Sequence, residues 1–143
     1  MEILTYILKL GLLAFLAAAA FIDLRSRSLN LIMLCIFFTA GFLLQTVLGQ
    51  LSVWEILGGS ALGSASALIS FLSRQAIGYG DSFAIGVCGA WLGLFESIFL
   101  LLCAFLIMAV FGIAMLALKK AKPKDRLPFM PFLLVGYIAV LAF

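Results

Sequence analysis

The chain has 143 residues, of which 66% are hydrophobic and 10% charged, and its mean hydropathy is +1.33. An ordinary globular protein carries about 25% charged residues, so this composition excludes a soluble domain with a polar shell and points to an all-α integral membrane protein. The net charge of +3 is small, and histidine is absent, which excludes Ser-His-Asp and Cys-His catalysis and any histidine-held metal.

Taken in chain order, the apolar runs predict six transmembrane helices. The first covers Ile3 to Ile22 and the second Leu29 to Leu48. The third, Val53 to Leu72, is interrupted only by Glu55. The fourth, Ser82 to Phe95, is short; the fifth, Ser97 to Leu118, is a full span. The sixth runs from Phe129 to Phe143 and is again short of the ~20 residues that cross a bilayer. The six spans form a single polytopic unit over residues 1–143, set in lipid, with no nucleic-acid partner expected. Ala17 to Ala20 resembles a signal-peptide cleavage region, but no positive charge precedes the run, so an uncleaved first helix is expected.

Charge placement orients these spans. Arg25, Arg27, Arg74, Lys119, Lys120, Lys122, Lys124 and Arg126 are eight of the nine Lys and Arg residues, and all fall in the loops of one side. The positive-inside rule makes that side cytoplasmic and sends both termini outward. Glu2, Glu55 and Glu96 then lie at the outer side, with Tyr6, Trp54 and Trp91 towards it as an aromatic belt. The basic run Lys119 to Arg126 reads as an orienting segment that meets anionic lipid.

In the third span, Gly59, Gly63 and Ala67 recur at four-residue spacing beside Ser60 and Ser64, a pattern that lets another helix approach closely. Cys35, Cys88 and Cys103 sit apart within apolar runs, with no Cys-x-x-Cys pair, and read as small apolar side chains rather than metal or redox groups.

Two acids stand out. Asp23 ends the first span, and Asp81 follows Gly78-Tyr79-Gly80 at the start of the fourth. The topology puts both at the cytoplasmic membrane boundary. Gly78 and Gly80 permit backbone conformations closed to other residues and let another segment come close. Asp81 also lies where a helix dipole favours negative charge. Two such acids brought together make an aspartyl protease site, because two close carboxylates cannot both ionise cheaply and the pair holds one proton. Arg25, Arg27 or Arg74 beside one of them would oppose that sharing.

Gly78-Tyr79-Gly80-Asp81 resembles the Gly-x-Gly-Asp motif of type IV prepilin peptidases and archaeal preflagellin peptidases. Asp23-Leu24-Arg25-Ser26-Arg27-Ser28-Leu29-Asn30 is similar to that family's Asp-Leu-Arg-x-x-x-Ile-Pro-Asn, without the Pro. Leu127-Pro128-Phe129-Met130-Pro131-Phe132 resembles its Ile-Pro-Phe-Gly-Pro-Phe, with Met130 in place of Gly. The resemblance implies a six-helix membrane peptidase of a prokaryotic cytoplasmic membrane, in a short form lacking the Cys-rich zinc-binding segment of longer bacterial members. It implies catalytic Asp23 and Asp81, supported by Gly78, Tyr79, Gly80, Pro128 and Pro131. It implies as substrate a prepilin or pseudopilin precursor, cut behind its short basic leader, with no metal or cofactor required. No residue pattern identifies a methyl-donor site, and a methyltransferase activity stays open.

Two other readings of the same acids are kept. Presenilin and signal-peptide-peptidase relatives share Gly-x-Gly-Asp and cut within transmembrane helices. A small transporter or channel subunit would use Asp23 and Asp81 as a proton or cation relay.

Overall fold

The structure is a computed structural model that describes residues 2–26, 29–48, 50–73, 78–118 and 127–142. Among these residues there are five helices: α1 (Glu2–Ser26), α2 (Leu31–Leu48), α3 (Val53–Leu72), α4 (Tyr79–Ala117) and α5 (Met130–Ala142). The protein is an all-α integral membrane protein: α1 to α4 are long and apolar enough to cross a bilayer, and α5 is a shorter apolar helix. The loop cations Arg27, Arg74, Lys119, Lys120, Lys122, Lys124 and Arg126 lie outside the described residues.

Local sequence sets most helix ends. Asn30 caps α2, accepting the Ile32 N–H on Oδ1 at 3.0 Å, so the helix starts two residues after the expected Leu29. Ser52 and Glu55 form a reciprocal capping box at the start of α3. Within the helices, Thr39, Thr46 and Ser60 return their hydroxyls to carbonyls one turn back, which satisfies them in an apolar medium.

The expected fourth and fifth spans follow one another with no loop between them. They join in one helical element, α4, as two helices that meet at a kink at Gly93, so the described residues hold five helical elements where six spans were expected. The expected junction at Glu96 is displaced by three residues, because the break needs φ +78° and ψ −175°. Only glycine takes that conformation without strain. The two limbs run in opposite directions. Trp91 and Leu92 share a cavity with Lys9 and Tyr137, whereas Asp81 lies within electrostatic range of Asp23. Beyond the break, Gly136 packs on Leu100 and Ala104, Phe105 stacks on Phe129, and Gly112 reaches Leu127, so the second limb returns towards the Asp23 end. Gly93→Ala is expected to destabilise the fold by about 1–3 kcal/mol, the strain of this backbone region for a side-chain-bearing residue. A lowered unfolding midpoint in detergent checks this, and an unchanged midpoint refutes it.

The first limb of α4 packs chiefly on α3, and the expectation drawn from the small residues of α3 holds. A Cβ on Gly59 would strike the Gly89 carbonyl, one on Gly89 would strike the Gly59 carbonyl, and one on Gly63 would meet the Gly86 backbone within 2.6 Å. Backbone-to-backbone contact of this kind is how transmembrane helices gain packing energy without a water-driven hydrophobic term.

The core between α1, α2, α4 and α5 is built from Leu12, Phe15, Leu16, Leu34, Ile85, Leu100, Leu133 and Tyr137. Trp91 belongs to it. It is buried, its Nε1 donates to the Phe37 carbonyl at 2.9 Å, and Gly41 leaves the space its indole occupies. This corrects its assignment to an aromatic belt; Tyr6 and Trp54, by contrast, are exposed. The break at Gly93 lies two residues on. A helix that ends leaves its last carbonyls unpaired, and Gln45 of α2 donates to the Trp91 carbonyl at 2.6 Å, tying α2 to the corner. Cys88 is buried as expected, whereas Cys35 is exposed on α2.

Candidate active site

Asp23 and Asp81 lie at one end of the bundle, opposite the Lys9–Tyr137 end, within electrostatic range of one another. Asp23 lies one turn before the end of α1 and is only 7% exposed. A carboxylate that deep needs partners. Its Oδ2 accepts the Met130 N–H at 3.2 Å, the first residue of α5. The opening N–H groups of a helix have no partner within it, and the helix dipole is positive there. The α5 terminus therefore holds Asp23 and is itself capped.

Asp81 is the third residue of α4 and is half-buried. The α4 helix starts at Tyr79, not at the expected Ser82, so the motif forms the cap and first turn rather than a loop before the helix. Gly78 is the capping residue, and its carbonyl accepts the Ser82 N–H at 3.1 Å. Asp23 is fixed by the backbone at the start of α5, and Asp81 sits in the first turn of α4.

The glycines serve a narrower purpose than the sequence suggests. Gly78 has φ −66° and ψ 141°, and among the described residues Gly93 is the glycine at positive φ. Gly78 and Gly80 therefore do not use conformations closed to other residues, which corrects that expectation. What they supply is clearance. A Cβ on Gly78 would come within 3.0 Å of Asp81 Oδ2, and one on Gly80 within 3.3 Å of Leu29 Cβ. Tyr79 is exposed, at the foot of α4.

Pro131 lies in the first turn of α5, where its missing N–H costs nothing. Pro128 precedes the helix and directs the chain to Phe129, whose carbonyl accepts the Leu133 N–H at 3.1 Å. Arg25 is exposed and two positions from Asp23 on α1, hence on another face of the helix. Arg27 and Arg74 lie outside the described residues. Among the described residues, no three His, Cys, Asp or Glu side chains gather as a metal site. The backbone contact from Met130 escaped sequence reasoning, because only the packing of α5 on α1 creates it; its signal was the Pro128–Pro131 pair, which marks a helix start.

The family model for the type IV leader peptidase family matches residues 10–113, a stretch that includes Asp23 and Asp81 and stops short of Pro128 and Pro131. The chain is 36% identical over 69 residues to a prepilin leader peptidase/N-methyltransferase of Aeromonas salmonicida, covering 48% of this chain and 24% of that protein. It is 31% identical over 100 residues to a prepilin leader peptidase/N-methyltransferase of Pseudomonas aeruginosa, covering 69% of this chain and 32% of that protein. The chain thus aligns with about a quarter to a third of these curated relatives. No solved structure matches it significantly.

Proposed function

The chain belongs to the type IV leader peptidase family, and from that membership we propose that it is an aspartyl endopeptidase with Asp23 and Asp81 as its catalytic pair. It removes the short basic leader from type IV prepilins or pilin-like precursors. The observation that carries this reading is that two carboxylates from separate helices lie within electrostatic range of one another, Asp23 held by the backbone N–H that opens α5 and Asp81 in the first turn of α4. Positioning of this kind is what general acid–base catalysis requires.

In the proposed reaction the pair shares one proton. The ionised carboxylate takes a proton from a water, whose oxygen attacks the scissile carbonyl carbon. The protonated partner hydrogen-bonds to the carbonyl oxygen. As the C–N bond breaks, a proton passes from the pair to the leaving amine, and the pair is restored to its single-proton state. The titration belongs to the pair rather than to either residue.

The membrane is the cytoplasmic membrane of a prokaryote, with the aspartates at the cytoplasmic face and both termini outward. The placement of the basic residues supports that orientation. At that depth the apolar helix of a precursor lies in the bilayer, while its basic leader meets the negative pair. The names of the relatives also carry an N-methyltransferase activity, for which this chain offers no recognisable donor site.

Co-expression with a pilin-like precursor, followed by mass measurement of the product's N-terminus, tests the reading. The expected result is one cut at the junction of leader and apolar helix. A cut inside the apolar helix would replace leader processing with intramembrane proteolysis, and an uncut precursor would overturn the peptidase reading.

A further inference from the structure

A second polar feature lies at the end of the bundle away from the aspartates. A cavity of about 190 Å³ opens there among α1, α2, α4 and α5, lined by Thr5, Lys9, Gln45, Gln50, Trp91 and Glu96, with Tyr137 and leucines completing its walls. Lys9 lies on α1 about 21 Å from Asp23 by helical rise, which sets the cavity near the opposite boundary of a hydrocarbon core about 30 Å thick. The leader-peptidase reading makes no use of it.

We propose that this cavity binds the ammonium–phosphate headgroup of a phospholipid such as phosphatidylethanolamine. Its polar groups call for both halves of such a headgroup. Gln45 is 5% exposed, and its Nε2 is committed to the Trp91 carbonyl, while its Oε1 is buried without a partner. A buried acceptor of that kind calls for a donor. Glu96 adds a negative charge on the cavity wall, so the fitting donor is a cation that carries N–H bonds. Lys9 supplies the opposite charge. An ionisable side chain within a transmembrane helix is costly unless it finds a partner, and no ion pair joins Lys9 to Glu96 among the described residues. A phosphate group meets Lys9 while the ammonium meets Gln45 and Glu96. Phosphate alone would leave the two acceptors unmet, and a trimethylammonium group has no N–H to offer. The depth is that of a headgroup, and Leu8, Leu12 and Leu92 give the cavity apolar walls.

Trp91 lines the cavity and reports its occupancy, and Trp54, the other tryptophan, is exposed and replaceable by Phe. The full chain carrying Trp54→Phe, in detergent, is titrated with short-chain phosphatidylethanolamine, short-chain phosphatidylcholine and free phosphoethanolamine. The expected result is a saturable change in Trp91 emission with phosphatidylethanolamine and weak binding of phosphatidylcholine. Lys9→Met and Glu96→Gln are each expected to weaken the lipid by about tenfold, as loss of a charge-assisted contact does. Glu96 is exposed and glutamine keeps its shape, so that variant decides the matter if Lys9→Met does not fold. Phosphatidylcholine binding as tightly as phosphatidylethanolamine, or a Glu96→Gln protein that binds unchanged, would overturn the proposal. Phosphoethanolamine binding as tightly as the lipid would support the headgroup chemistry and overturn a lipid as its source.

Discussion

Asp23→Asn and Asp81→Asn are each expected to lower the rate of precursor cleavage by roughly a hundredfold to ten-thousandfold, the range supplied by a positioned acid or base. Asparagine keeps the shape and the acceptor oxygen of aspartate. The Met130 N–H can still donate to residue 23, so the start of α5 is preserved. What is lost is the ability to exchange a proton. Removing a charge from a helix N-terminus costs about 0.3–1 kcal/mol, but either substitution also removes the repulsion between the two acids. The unfolding midpoint in detergent should therefore move little while cleavage disappears. Initial rates for the purified variants, measured beside their thermal unfolding, provide the check. A variant at either position that cleaves at the wild-type rate would exclude a catalytic pair made of these two residues.

Gly89→Val is expected to produce the largest loss of stability, and to lose cleavage with it. The α3–α4 contact is reciprocal: a Cβ at residue 89 collides with the Gly59 carbonyl, and a Cβ at 59 with the Gly89 carbonyl. Overpacking that side chains can relieve costs about 1–3 kcal/mol. Here the obstacle is backbone on both sides, so the cost should reach or pass the upper end of that range. The limb that would be pushed away is the one that carries Asp81, and its displacement changes the approach to Asp23. Gly112→Ala is the matched control, since a Cβ there meets only the Leu127 side chain at 3.6 Å, an ordinary contact. Unfolding midpoints of the two variants in the same detergent are compared with wild type. If Gly89→Val melts with the wild type, the close approach is not what holds α3 to α4.

The sequence by itself determined the membrane class, the position of most apolar segments and the small-residue face of α3. Each is a property of a stretch of chain, and a stretch of chain can be read in one dimension. It also picked out Asp23 and Asp81 as acids at segment ends. Alternation of spans placed both at one end of the molecule, and the structure brings them into electrostatic range. Three things waited for the tertiary structure. The exact place of the reversal between the two limbs of α4 rests on one residue's dihedral angles, and the glycine responsible, Gly93, looks in the sequence like any other in an apolar run. The inward turn of Trp91 was hidden because helices that are apolar all round carry no stripe to say which face is inside. The grip on Asp23 comes from a backbone N–H of α5, 107 residues away in the chain. A backbone donor has no side-chain signature, so only the packing of one helix end against another decides which acid it meets.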